Sequence, residues 1–321
     1  MTIQLAMVGC GQIADAHFKA IASLKNARLV ATVDSELERA SSAASLYGAE
    51  RASTAYDEVL ADDEVDAVIL CLPHHLHAPF SIRAAEAGKH ILVEKPMALD
   101  EGESLQMVQA AENAGVQLSI GQSSRYIPAY WKTRELLASN SIGRIVNILH
   151  QRTFFIDQLS TDWRRVEGEC GGLYLPLFGS HDIDAILWML STRPRRIWSS
   201  LLSASPVSAG DSDGIVGIDL ENGAVASLAF ATRCKRARTE TLFVGEDGHL
   251  QLRRNGIELN GEQVAIDDSE EAFTHQMRLF VEALIAGTAV PAPGREVLAV
   301  MRTLDLAKKA HATGQAQSFL I

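Results

Sequence analysis

The run Gly9-Cys10-Gly11-Gln12-Ile13-Ala14 follows a short apolar stretch directly and opens a helical one. Glycines at that spacing suit a dinucleotide. Gly9 permits a tight turn, Gly11 lets the backbone approach a pyrophosphate, and Ala14 keeps the helix close to the sheet, with phosphate at the positive helix N-terminus. Asp34 closes the next apolar run, at roughly the twenty-residue spacing expected of the acid that binds the adenosine ribose. Its charge would repel a 2′-phosphate, and Ser35 and Glu36 follow without an adjacent arginine, so NAD is expected in preference to NADP. The same carboxylate could instead cap the next helix. Lys95, followed by Pro96, ends a further apolar run. On the carboxyl edge of a parallel sheet, where ligands bind, such a lysine can sit over a nicotinamide and an alcohol or carbonyl oxygen; alternatively it is a strand-end surface residue paired with Glu94. His181 lies in an apolar helical stretch. Taken alone it reads as a satisfied core residue.

The elements around these residues follow from periodicity. Short apolar runs at 3–8, 29–33, 67–72, 91–94 and 117–120 alternate with amphipathic stretches at 15–24, 36–47, 80–87 and 105–114, the pattern of a parallel sheet covered by helices. Gly48, Gly88 and Gly115 stop three of those helices. Asp100 and Glu103 make a capping box for the last. After Gln122 the pattern changes to a helix at 130–138, a long alternating strand at 145–155 and an irregular segment through Trp163, Arg164 and Arg165. A helix at 181–190 follows, then strands at 196–202, 214–220, 224–231, 241–245 and 249–252, and closing helices at 272–286 and 296–312. The expectation is an α/β chain: a Rossmann doubly wound parallel sheet over residues 1–122, then an α+β domain over 123–321 built on a largely antiparallel open sheet.

Composition narrows the partners. A chain of 321 residues with 47% hydrophobic content has material for two cores. Net charge is −11 and no long basic stretch interrupts it, so nucleic acid is not an expected partner. The densest basic patch, Arg233, Lys235, Arg236 and Arg238, reads as a solvated strand end or as a place for a substrate phosphate. The four cysteines, Cys10, Cys71, Cys170 and Cys234, form no C-x-x-C pair and read as reduced thiols. His74, His75 and His77 cluster, but no metal is expected there. The opening MTIQLAMVGC lacks a basic n-region, and no run reaches the ~18 apolar residues of a membrane span. The expected location is the cytoplasm.

Glu94-Lys95-Pro96, together with Leu72-Pro73-His74-His75-Leu76-His77, Arg125-Tyr126, Trp163-Arg164 and Gly171-Gly172 leading to Gly179-Ser180-His181-Asp182-Ile183-Asp184, resembles the glucose–fructose oxidoreductase, inositol dehydrogenase and MocA family over essentially the whole chain. The resemblance implies Lys95 and His181 as the catalytic pair and a Lys95–Pro96 bond in the cis form. It implies substrate contacts at Asp184 and Tyr126. It also implies a cofactor pocket that adds Gln12, Ile13, Leu72, Pro73, His77, Glu94, Gln122, Trp163 and Arg164 to the glycines and Asp34. Homodimers or homotetramers, paired through the open sheet face, are implied as well. The small-molecule substrate would be a sugar, cyclitol or related polyhydroxylated compound, with reversible hydride transfer between its carbinol carbon and the nicotinamide.

One position departs from that pattern. Leu177 stands four residues before the histidine, where most catalytic relatives carry aspartate, and on a helix it would lie one turn from His181. The change removes an acceptor and an anion, and suggests a less polar or differently oriented ligand. It also leaves room for two other functions: a redox-assisted glycosidase or lyase with tightly bound NAD, and a non-catalytic dinucleotide sensor.

Overall fold

Apolar runs flanked by glycine and aspartate turns become strands here because each can bury both faces. The computed structural model describes residues 1–208, 210–253 and 256–319. Its first part runs β1 (Ile3–Val8), α1 (Ala14–Ser23), β2 (Ala27–Val33), α2 (Leu37–Tyr47), β3 (Arg51–Ser53), α3 (Tyr56–Leu60), β4 (Ala67–Leu70), α4 (His74–Glu86), β5 (His90–Glu94), α5 (Glu101–Ala114) and β6 (Leu118–Gly121). The strands pair in parallel in the order β3-β2-β1-β4-β5-β6. Order reverses at β1, whose neighbours are β2 and β4, and the carboxyl ends of the strands beside that reversal are the ligand edge of such a sheet. Gly48 and Gly115 end α2 and α5 in the left-handed conformation. Asp100 accepts the Glu103 N–H at 2.8 Å, while the Glu103 carboxylate reaches back to the Leu99 N–H at 3.1 Å, a capping box displaced by one residue. α4 begins at His74 rather than near Phe80 and carries Pro79 inside it; that proline hides the helical start in the sequence.

The second part holds α6 (Pro128–Ala138), β7 (Ile145–Phe155), α7 (Glu167–Cys170), α8 (Ser180–Leu190), β8 (Pro194–Leu202), β9 (Asp213–Leu220), β10 (Val225–Ala231), β11 (Arg233–Gly245), β12 (His249–Arg253), β13 (Gly256–Leu259) and β14 (Glu262–Val264). The chain closes with α9 (Ala272–Ala286), α10 (Gly294–Thr313) and β15 (Gln317–Ser318). Its sheet has the order β14-β13-β12-β11-β7-β10-β9-β8-β15. It is mixed, because β7 and β10 run parallel while the other neighbours are antiparallel. β11 starts well before the expected 241, at Arg233. Its charged first half lacks an apolar alternation, and the register shifts between Arg233 and Arg238. Arg233 pairs with Asp213 at 2.7 Å and Arg238 with Glu240 at 2.5 Å, so the basic patch is a solvated strand with local partners.

The expected boundary at 122/123 needs one correction. The chain divides into a unit of Met1–Ser123 with Glu271–Leu298, and a second of Ser124–Glu270 with Ala299 onward. The cause is α9. Its Met277, Phe280 and Val281 are buried in one cluster with Ile3, Leu5 and Met7 of β1 and Phe18 of α1. β6 is also held from this returning segment, through Ser119 Oγ to the Pro291 carbonyl at 2.6 Å.

In the second unit the sheet turns one face inward, burying Ile148, His150, Val216, Ile218, Ala226, Leu228 and Phe230. Across the other face a cross-strand row runs Leu242, Leu149, Ser227, Gly217, Trp198. Leu149 is 48% and Trp198 38% exposed. A Cβ on Gly217 would fall inside the Trp198 ring, so the indole lies flat over that glycine.

The Asp100 cap yields a direct expectation. Asp100→Ala should cost about 0.5–2 kcal/mol, read as a lower urea midpoint with unchanged slope; an unchanged midpoint would show that the cap carries nothing.

Candidate functional site

The turn between β1 and α1 is built around glycine. Gly9 adopts φ +89°, and a Cβ there would stand 2.3 Å from the Cys71 carbonyl oxygen. No other residue fits without moving β4. At Gly11 a Cβ would meet nothing within 4 Å, so the backbone faces open space where a pyrophosphate can approach, at the N-terminus of a ten-residue helix. Gln12 and Ile13 are exposed beside it, whereas Ala14 is wholly buried. Those residues fit a dinucleotide.

Asp34 is engaged by two backbone donors within the fold. Its Oδ2 accepts the Cys10 N–H at 2.8 Å, which shapes the glycine turn, and its Oδ1 accepts the Glu36 N–H at 3.0 Å just ahead of α2. Burial pushes the Cys10 thiol up to about 12, with the Asp34 charge adding to the effect; it stays protonated. One turn into α2, Arg39 places Nη1 3.4 Å from Asp34 Oδ1 and Nη2 2.6 Å from Glu36 Oε1. Inspecting only the residues adjacent to Asp34 misses it. The signal is helical spacing, which returns residue 39 to the acid. Arg39 therefore offsets part of the Asp34 charge.

At the end of β5, the Lys95–Pro96 bond is cis. His77 braces this turn, with Nδ1 2.7 Å from the Pro96 carbonyl and Nε2 2.9 Å from the Leu72 carbonyl. Burial lowers its pKa against the pull of those carbonyls. His77 is wholly buried, with both ring nitrogens spent on the backbone. Glu94 is also held by partners within the fold. Its Oε1 meets His17 Nε2 at 2.8 Å and its Oε2 accepts the Lys95 N–H at 3.2 Å. Burial alone would raise the Glu94 pKa, but the His17 hydrogen bond and the neighbouring positive charges hold it below the ordinary value. His17 escaped the sequence reading, although a polar residue on the apolar stripe Ala14, Phe18, Ile21 is the sign of a buried partner. Leu72 and Pro73 are half-buried at the start of α4, and Gln122 is buried just after β6.

In the second unit, His181 is half-buried in the first turn of α8. Residues Leu175–Gly179 before it form a π-turn, closed by the Ser180 N–H on the Leu175 carbonyl. The α-helical spacing assumed between Leu177 and His181 is therefore replaced by a wider turn. Leu177 is 8% exposed, and Pro176 lies in the opening turn. Asp211 accepts the Leu175 N–H at 2.6 Å and the Leu173 N–H at 3.3 Å. Asp184, a substrate contact by resemblance, is 0% exposed, and Arg125 grips both its oxygens at 2.8 and 2.6 Å. Tyr126 is 1% exposed, with its ring near Trp131. Trp163 and Arg164 are both half-buried in a 3₁₀ turn. The guanidinium lies 4.5 Å from the indole centroid and bonds Ser160 and Thr161. Among the described residues no group of three His, Cys, Asp or Glu side chains could hold a metal ion.

Comparison with known proteins agrees with this arrangement. A family model described as an oxidoreductase family with an NAD-binding Rossmann fold matches residues 3–122, and the Gfo/Idh/MocA C-terminal domain matches 130–251. An uncharacterised oxidoreductase of Rhizobium meliloti is 31% identical over 267 residues, 82% of this chain and 73% of that protein. The 1,5-anhydro-D-fructose reductase of Ensifer adhaerens is 27% identical over 300 residues, 90% of each chain. A solved oxidoreductase of Thermotoga maritima superposes with a TM-score of 0.92 at 25% identity, covering 99% of this chain and 98% of that one.

The depressed Glu94 carboxyl sets a pH signature. A group held below its unfolded value contributes stability above about pH 4.3, and that contribution fades as pH falls through the lowered value. Glu94→Gln should thus be less stable than wild type by about 1–3 kcal/mol at pH 7. Urea unfolding at pH 7 and near pH 4 should show the gap narrowing; an equal gap at both would mean that the charge is not what Glu94 contributes.

Proposed function

This chain belongs to the glucose–fructose oxidoreductase, inositol dehydrogenase and MocA family of NAD-binding oxidoreductases, and we propose that it is a dehydrogenase of a sugar, cyclitol or similar polyhydroxylated compound. The observation that carries this reading lies within the first unit. Lys95 stands at the carboxyl end of β5, its backbone held by Glu94 and its turn by His77, on the sheet edge that also presents the open turn at Gly11. Bound there, a nicotinamide supplies the hydride acceptor. Lys95 takes the role of holding and moving the hydroxyl proton, with His181 as its partner. Gly9, Gly11, Gln12, Ile13 and Ala14 cradle the pyrophosphate, Asp34 faces the ribose, and Leu72, Pro73, Gln122, Trp163 and Arg164 complete the cofactor's surroundings. Leu177 gives the substrate an apolar neighbour, in keeping with a ring that carries a deoxygenated or anhydro position. The relative from Ensifer adhaerens, named for an anhydro sugar, supports that class.

We further propose self-association through the open sheet face. A row that exposes Leu149 and Trp198 among small residues is the surface a symmetric partner would cover. Among the described residues no helix is long and apolar enough to cross a membrane. None of the four cysteines is in a disulfide, and reduced thiols support a cytoplasmic site of action.

A panel of sugars and cyclitols, read by NADH absorbance with each dinucleotide, tests the activity. NAD should bind more tightly than NADP. Lys95→Ala should lower kcat about 10²–10⁴-fold on the best substrate with little change in the NAD dissociation constant. Near-normal kcat in that variant would remove Lys95 from proton transfer. Dinucleotide binding without turnover of any panel member would favour the sensor reading that Leu177 leaves open. For assembly, light scattering should give a dimer or tetramer that Trp198→Glu shifts toward monomer; a wild-type monomer at micromolar concentration would rule the interface out.

A further inference from the structure

α8 is an apolar helix apart from its first turn. Ile183, Ala185, Ile186, Leu187, Trp188 and Met189 are all buried, yet so are the carboxylates of Asp182 and Asp184, at 3% and 0% exposure. Asp182 faces the sheet. Its Oδ1 accepts Arg152 Nη2 at 2.5 Å, its Oδ2 accepts the Tyr174 hydroxyl at 2.5 Å, and His150 Nε2 lies 3.3 Å from Oδ2. His150 is fixed in turn by Thr241 Oγ1 at 2.8 Å. Asp184 faces the 3₁₀ turn Ser123–Tyr126, where Arg125 grips it with two donors. Replacing buried ion pairs by well-packed apolar residues is often neutral or stabilising. On a helix already so apolar, these pairs therefore need a reason other than stability.

Helical geometry supplies one. Each residue advances about 100° around the axis, so with His181 at zero, Asp182 leaves the helix at about +100° and Asp184 at about −60°. The imidazole projects from the arc between the two carboxylates. One anchor alone would leave the helix able to roll about that contact. Two anchors on either side of His181, one to β7 and Tyr174 and one bidentate to Arg125, stop both roll and slide. The constraint matters because the π-turn immediately upstream interrupts the ordinary hydrogen-bond ladder, so the preceding backbone is a weak guide to the angle of the first turn.

We propose that Asp182 and Asp184, with Arg152 and Arg125, form a rotational clamp on α8 and are positioning residues for His181. The proposal rests on the assignment of His181 to proton transfer.

The test is the paired exchange Asp184→Leu/Arg125→Met, which removes the anchor without stranding a charge. Turnover is followed with NAD and the fastest polyol of the panel, and the imidazole by ring-15N histidine NMR. The clamp predicts an unchanged or raised Tm and NAD affinity within about two-fold. It also predicts a kcat lower by about 10–100-fold, the range expected when a reacting group is slightly misplaced, and a His181 signal that broadens or splits. Arg125→Lys keeps the charge but loses the two-point grip, so it should fall between wild type and the paired exchange; this variant carries the test if the exchange does not fold. A kcat within about two-fold of wild type in a folded variant, where His181→Ala loses about 10² or more, would overturn the clamp. Undiminished turnover by His181→Ala would instead overturn the role of His181, and the inference with it.

Discussion

A single buried contact organises the nucleotide half of this protein: the 2.8 Å pairing of Glu94 with His17. One partner ends the strand that delivers Lys95, and the other sits in the helix whose N-terminus faces the open glycine turn. Neither side chain can leave the other without exposing an unsatisfied group in a dry interior, a loss larger than the net worth of an ordinary hydrogen bond. The strand end and the helix are therefore placed relative to each other by chemistry as well as by packing. Around that contact the remaining braces are short. Gly121 leaves β6 room beside the Glu94 carboxyl, Asp34 ties the glycine turn to the end of β2, and His77 bridges the E-K-P turn to the start of α4.

What the sequence made legible was whatever depends on neighbours along the chain. β1 is an unbroken apolar run, α5 carries its own cap and its own stop, and the G-x-G turn with its distant acid keeps a spacing that only a βαβ unit explains. β3 and α3, at three and five residues, are too short to develop a period. The first half of β11 is charged because its side chains find solvent and local carboxylates, so no alternation betrays it. The π-turn has no compositional mark beyond Pro176.

The residues proposed for the site divide the same way. Lys95 and His181 stand out through the motifs that carry the family resemblance, but the groups that hold their surroundings do not, because those partners are remote in sequence. His17 lies 77 residues from Glu94, and Arg125 lies 59 from Asp184. The resemblance implies ligand contacts at Asp184, His77 and Glu94, while the hydrogen bonds of all three run to groups within the fold.

The return of α9 to the first unit carries a consequence for synthesis. As the polypeptide leaves the ribosome, β1, α1 and the rest of the parallel sheet emerge early. The surface over Ile3, Leu5, Met7 and Phe18 nevertheless lacks its cover until Met277, Phe280 and Val281 have been translated. All of the second unit up to Glu270 is made in that interval. Folding of this chain is thus not strictly vectorial: the first unit to appear is completed only by a segment made after residues 124–270 of the second, and until then its apolar face stands uncovered.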